Sequence, residues 1–158
     1  MTTPRPSDVE DRVHYAVNNV RDAHGLPPLQ WDEKLARIAR SHSSDMASRN
    51  FVGHSTPTGT GLGERYRRFD YDDRVPDDGR NALLAGENIA KLYVGIPSER
   101  TDGKTVTYET VFDLGHGAVY GWMNSAGHRE NLLRHRWQRE GIGVVIDHHT
   151  VYITQNLF

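Results

Sequence analysis

A chain of 158 residues with a formal net charge of −2, 36% hydrophobic and 25% charged, is the size of one domain with a core of its own. It lacks the basic surface that displaces counterions from nucleic acid, and without cysteine it has neither a disulfide framework nor a thiolate metal site. No stretch approaches the roughly 20 apolar residues of a membrane span, no Lys/Arg run offers a polybasic anchor, and the polar segment 1–6 is not a signal peptide, so the compartment stays open between the cytosol and secretion after a removed leader.

Ser7 followed by Glu10 has the spacing of a capping box, and Val9, Val13, Ala16, Val17 and Val20 recur at helical intervals. This predicts a helix over 8–24, stopped by Gly25 and the Pro27–Pro28 pair, with Leu29 and Trp31 anchoring the link to the core. Asp32 is placed to cap a second helix running to Arg49, whose stripe of Leu35, Ile38, Ala39, His42 and Met46 faces the core. On that face His42 reads as a hydrogen-bonded core histidine rather than a ligand. Residues 51–60, rich in Gly, Ser, Thr and Pro, form an irregular loop. A short helix over 62–69 and an exposed loop over 70–81 follow.

Residues 85–93 are a short apolar segment, and 96–105 a polar turn around Asp102–Gly103, with Tyr93 and Val106 flanking it as strands of a hairpin. The next helix, over 108–124, buries Val111, Leu114, Ala118, Val119 and Trp122. Its glycines Gly115, Gly117 and Gly121 each cost about 1 kcal/mol relative to alanine, so tertiary packing supports it or the glycines admit a close backbone approach. A shorter helix covers 128–134. At the C-terminus Ile142, Val144 and Ile146 alternate, as do Val151, Ile153, Gln155 and Leu157, across a turn at 147–150, which predicts an antiparallel hairpin ending within the sheet. Helices first, antiparallel strands last and no internal repeat describe a single α+β domain over 1–158.

Three segments carry residues suited to chemistry: Asn50-Phe51-Val52-Gly53-His54-Ser55, Gly86-Glu87-Asn88-Ile89-Ala90, and the run from Trp122 through Ser125, Gly127, His128, Arg129 and Glu130 to Leu133. Together with Leu29-Gln30-Trp31-Asp32 and Gly141-Ile142-Gly143-Val144, all in order over nearly the whole chain, they resemble the prokaryotic branch of the CAP superfamily, which unites cysteine-rich secretory, antigen 5 and pathogenesis-related 1 proteins. The resemblance implies a three-layer α-β-α sandwich with a central antiparallel sheet and a cleft lined by two histidines and two glutamates. Residue by residue, His54 matches the first histidine, Glu87 the first glutamate and His128 the second histidine. The second glutamate falls on Ser125, so the set is incomplete. Glu64 and Glu130 are the nearby carboxylates that would replace it. The resemblance also implies an extracellular setting and, for some relatives, lipid ligands.

His54 and His128 would present two neutral imidazoles to a divalent cation, Zn²⁺ before others, with Glu87 either coordinating or holding a ligating histidine in its tautomer. The same three residues would equally serve as a polar network tying the loop after the second helix to the sheet. Ser55 and Ser125 lie near histidines in sequence, but no nucleophile elbow, thiol or zinc-protease helix is present. His148 and His149 read as turn residues, His116 has no assigned role, and Arg129 reads as a partner for loop carbonyls or an acidic neighbour. The functional readings are, in order, a binding domain for a small-molecule, lipid or cell-envelope ligand, an interaction domain with a vestigial cleft, and a metal-dependent hydrolase with Glu87 as general base.

Overall fold

The computed structural model describes residues 3–76 and 84–158. The loop expected over 70–81 therefore lies partly outside the described residues. Helix α1 (Pro6–Ala23) begins two residues earlier than the Ser7–Glu10 spacing predicts. Proline at its first position suits a helix start, because the missing N–H would be unpaired there anyway, and Arg5 is the N-cap without a side-chain bond. Ser7 is exposed within the helix. Glu10 is buried instead, taking the Arg40 guanidinium on both oxygens (2.9 and 2.7 Å) and the Val144 N–H (3.1 Å). The stop at Gly25 is as expected: with φ at +70° it lets the Leu26 and Gly25 N–H groups return to Arg21 and Asp22 at 2.9 Å, satisfying the terminal carbonyls.

Strand β1 (Gln30–Trp31) leads into α2 (Glu33–Arg49), capped by Asp32 accepting from the Leu35 N–H at 3.0 Å. Helix α3 (Leu62–Arg68), strand β2 (Gly86–Tyr93) and the hairpin of β3 (Ser98–Glu99) and β4 (Thr105–Val106) follow. Helix α4 (Val111–Met123) is shorter than the 108–124 expected, because Thr110 and Asp113 form a reciprocal capping box that sets its start. Helix α5 (Ala126–Leu132) precedes β5 (Arg139–Asp147) and β6 (Thr150–Leu157), whose turn places His148 at φ +54°.

The main sheet has the order β1-β5-β6-β2. Its three long strands pair antiparallel, as expected, but β1 runs parallel to β5, so the sheet is mixed at one edge. Alternation sorts its faces. Ile142, Val144, Val151, Ile153 and Leu157 join Val9, Val13, Val17, Leu114 and Trp122 in one core. On the other face Ile89 and Tyr152 meet Met46 of α2. Helices thus cover both sheet faces. Gly141 and Gly143 let α2 lie directly on β5, since a Cβ at either would overlap α2 backbone at Ala36 or Arg40. Ser43 reinforces this approach by donating to the Gly143 carbonyl at 2.8 Å.

Candidate functional site

β2 is an edge strand, so its residues are reached from α2 on one face, from α5 on the other, and from the loop after α2. Glu87 lies on the α2 face with its side chain only 3% exposed. Three groups converge on its carboxylate. Arg65 of α3, 6% exposed, donates Nη2–H to Oε2 at 2.5 Å. His54 donates Nδ1–H to Oε1 at 3.0 Å. Asn156, its amide oriented to match its neighbours, donates to Oε2 at 3.0 Å and accepts from the Ala39 N–H at 3.3 Å. Arg65 also donates to the His54 carbonyl at 2.8 Å. His42 donates Nε2–H to the Gly53 carbonyl at 2.7 Å and approaches Glu87 Oε1 at 3.9 Å. His42 is thus the buried, hydrogen-bonded histidine its stripe predicts, and the loop carrying His54 is tied down at Gly53, at the His54 backbone and at the His54 ring.

Burial by itself would push the Glu87 carboxyl up, but the Arg65 charge, the hydrogen bond from His54 and the neighbouring histidine charges bring it below the ordinary carboxylate range. The hydrogen bond to Glu87 raises His54 despite burial and Arg65, while its ring stays 60% exposed. Desolvation lowers His42, only partly offset by Glu87.

His128 comes from the other face. Asn88 donates to its carbonyl at 3.4 Å and to Gln155 Oε1 at 2.9 Å. Asn131 of α5 donates to the Glu87 carbonyl at 3.2 Å, and Trp137 to the Asn131 carbonyl at 2.8 Å. Gly86 is required under this clamp, since a Cβ would press on Asn131 and come within 2.9 Å of the Trp137 ring. Burial lowers His128, and the His54 charge lowers it further. Ser125 is the N-cap of α5, makes no side-chain capping bond and supplies no carboxylate.

The remaining candidates are placed elsewhere. Glu64 pairs with Arg68 at 2.5 Å, and Glu130, largely exposed, with Arg134 at 3.3 Å. Arg129 meets the His24 ring at 3.4 Å rather than a carbonyl or an acid, because α5 turns it towards the end of α1. His116 stacks on Phe112, and His148 and His149 occupy the β5–β6 turn. Among the described residues, no group of three or more His, Asp or Glu side chains is arranged to hold a metal ion. Arg65 and Asn156 are the participants the sequence reading missed. The run Thr154-Gln155-Asn156 is polar yet fully buried, a burial that only the structure reveals.

The acid response follows from these shifts. Glu87 has a lowered folded-state pKa, so its contribution is complete above the ordinary value of 4.5 and is lost as pH falls through the folded value. His42 and His128, lowered from 6.5, cost stability as pH drops below that value, whereas the raised His54 works oppositely and is lost as pH rises. Urea unfolding of wild type is expected to weaken from pH 4.5 downward, with a smaller slope for Glu87→Gln. Parallel slopes would mean that this carboxylate does not carry the acid sensitivity.

A model of the cysteine-rich secretory protein family matches residues 14–157. The uncharacterized protein YkwD of Bacillus subtilis (strain 168) is 35% identical over 147 residues, 91% of this chain and 46% of its own length. An extracellular SCP-domain protein from Bacillus anthracis is 30% identical with a TM-score of 0.68, covering 97% of this chain and 41% of that one. An outer surface protein from Borrelia burgdorferi, 17% identical, has a TM-score of 0.71 over 97% of this chain and 93% of its own, a likeness of fold alone. The chain spans less than half the length of the two Bacillus proteins. With a family match reaching from α1 to the last strand, and the motifs around His54, Glu87 and His128 brought to one strand edge, the chain belongs to the cysteine-rich secretory protein (CAP) family.

Proposed function

We propose that this domain is a binding module whose cleft, at the β2 edge, holds a divalent cation through His54 and His128 and accepts a small or extended ligand beside it. The observation that carries this reading is the hydrogen bond from His54 Nδ1 to the buried Glu87. It selects the tautomer with a lone pair on Nε2, the arrangement by which a carboxylate orients a metal-binding imidazole. Glu87 acts there as the orienting group, because Arg65, Asn156 and His54 already use both its oxygens. Two imidazoles with water completing the shell suit Zn²⁺ held weakly and exchangeably. The same occupancy, and a carboxyl held below its ordinary range, argue against Glu87 as a general base. The Bacillus anthracis relative is described as extracellular, which favours a ligand of the cell envelope or its surroundings.

Isothermal titration of Zn²⁺ into metal-free protein tests the proposal. One-to-one binding is expected at about pH 7.5, weaker at about pH 5.5 as protons compete for the imidazoles, and absent in the His54→Ala/His128→Ala variant. No binding, or unchanged binding by that variant, would remove the cation and favour an interaction domain whose loops carry recognition.

A further inference from the structure

A row of buried polar side chains crosses the sheet on the face that α1, α4 and α5 cover. Glu140 and Gln155 are fully buried and Asn88 is 1% exposed, beside Ile142, Ile153 and Leu157 of the main core. Strand register brings them together. Asn88 and Gln155 stand directly opposite in β2 and β6, and Glu140, opposite Leu157, is the diagonal neighbour of Gln155 on β5. His14 of α1, its side chain 25% exposed, closes one end by donating Nδ1–H to Glu140 Oε1 at 2.5 Å. Gln155 donates Nε2–H to Glu140 Oε2 at 2.6 Å and accepts from Asn88 Nδ2 at 2.9 Å. The Asn88 amino group also reaches the His128 carbonyl at 3.4 Å, and its Oδ1 accepts from Asn131 at 3.3 Å.

The row has a direction, and Glu140 sets it. A carboxylate accepts hydrogen bonds and donates none, so Gln155 turns its amino group to Glu140 and its carbonyl to Asn88. Asn88 in turn points its amino group at Gln155 and its oxygen at Asn131, the orientation in which it donates to the His128 carbonyl. With Gln155 reversed, two amino groups would face each other. With both amides reversed, the Asn88 oxygen would meet the His128 carbonyl. Arg21 and Trp137 hold α5 further along, at the carbonyls of Asn131, Leu132 and Arg134. The His54 ring is oriented by Glu87, whereas the His128 ring has no hydrogen-bond partner among the described residues, so its place is set through the backbone of α5.

We propose that Glu140 and Gln155 are positioning residues for the cation site: the row fixes which way the Asn88 amide faces and through it holds α5 against β2 at His128. This rests on reading His128 as a ligand of the cation. Apolar side chains would fill these positions without desolvating a charge, so what the row contributes is orientation.

The test pairs metal-free NMR with Zn²⁺ titration. Gln155→Met keeps the volume and removes both bonds. The His128 ring resonances are expected to shift and amide hydrogen exchange in α5 to quicken, with the His54 ring resonances unmoved, and Zn²⁺ affinity to fall about tenfold. Glu140→Met acts likewise, because Gln155 loses its acceptor. Glu140→Gln is expected to stay near wild type, since its carbonyl takes the Gln155 donor while its amino group faces His14, whose ring then accepts at Nδ1. Ile153→Val removes a buried methylene from the same strand and face, and is expected to lower the urea midpoint without moving the His128 resonances or α5 exchange. Unchanged His128 resonances and α5 exchange in Gln155→Met, or equal changes in Ile153→Val, overturn the proposal. So does equal damage by Glu140→Gln and Glu140→Met, which would make the charge rather than the direction of the row decisive. If wild type takes no Zn²⁺ the cation reading fails, and the metal-free measurements still decide whether the row positions His128.

Discussion

Replacing Arg65 with methionine is expected to cost about 3–5 kcal/mol of folding stability, the usual penalty for stranding one charge of a buried pair. Glu87 would keep its bonds from His54 and Asn156 but lose the cation 2.5 Å from Oε2, and the carboxylate is too enclosed for water to replace it. The loop would lose a tie as well, because Arg65 also holds the His54 carbonyl. Against a total stability of about 5–15 kcal/mol this is a large fraction, readable as a lowered midpoint in urea unfolding. The double variant Arg65→Met/Glu87→Leu should recover much of the loss, since an apolar pair of similar volume has no charge to desolvate. A single-variant loss below about 1 kcal/mol would show that the pair is screened by water.

Gly143→Ala is expected to destabilise by about 3 kcal/mol or more, at or beyond the upper end of overpacking costs. The obstruction is backbone, the Arg40 amide and the Ala39 carbonyl carbon, so no side chain can rotate away and α2 itself must lift from β5. That shift reaches the site. Helix α2 carries His42, and its left-handed C-cap at Asn50 launches the loop that brings His54 to Glu87. The His54 resonance, followed by pH titration in NMR, should therefore move back towards the ordinary histidine range in this variant. A stable Gly143→Ala protein with an unchanged His54 titration would mean that the sheet, rather than the helix, yields.

Patterns of short period were legible in the residues. The stripes of α1 and α2, the Asp32 cap, the Gly25 stop and the alternation of β5 and β6 are each set by neighbours within a turn or a strand. The Ser7–Glu10 spacing misled for a physical reason. A glutamate three residues from a serine caps a helix only when it stays at the surface, and Glu10 is drawn inward by Arg40 and by the Val144 amide. The two-residue strand β1 has no period to read, because its pairing with Arg139 and Glu140 is fixed by where β5 lies. At the site, His54, Glu87 and His128 were found through their motifs, whereas Arg65 and Asn156 have no local signature. Their importance comes from the charge they compensate, which lies 22 residues from Arg65 in the chain.

By itself the amino-acid sequence determined that this is an α+β fold of the CAP family, without cysteine, with His54, Glu87 and His128 in the motifs that carry the resemblance and a serine, Ser125, where that resemblance would put a second glutamate. Local periodicity and motif order suffice for that, since both are written along the chain. Tertiary structure alone decided that Glu87 is buried and paired with Arg65 and that His54 is held by its Nδ1–H. Those outcomes depend on which helices and loops meet the edge of β2, and the free energy of a buried charge is set by what surrounds it in space.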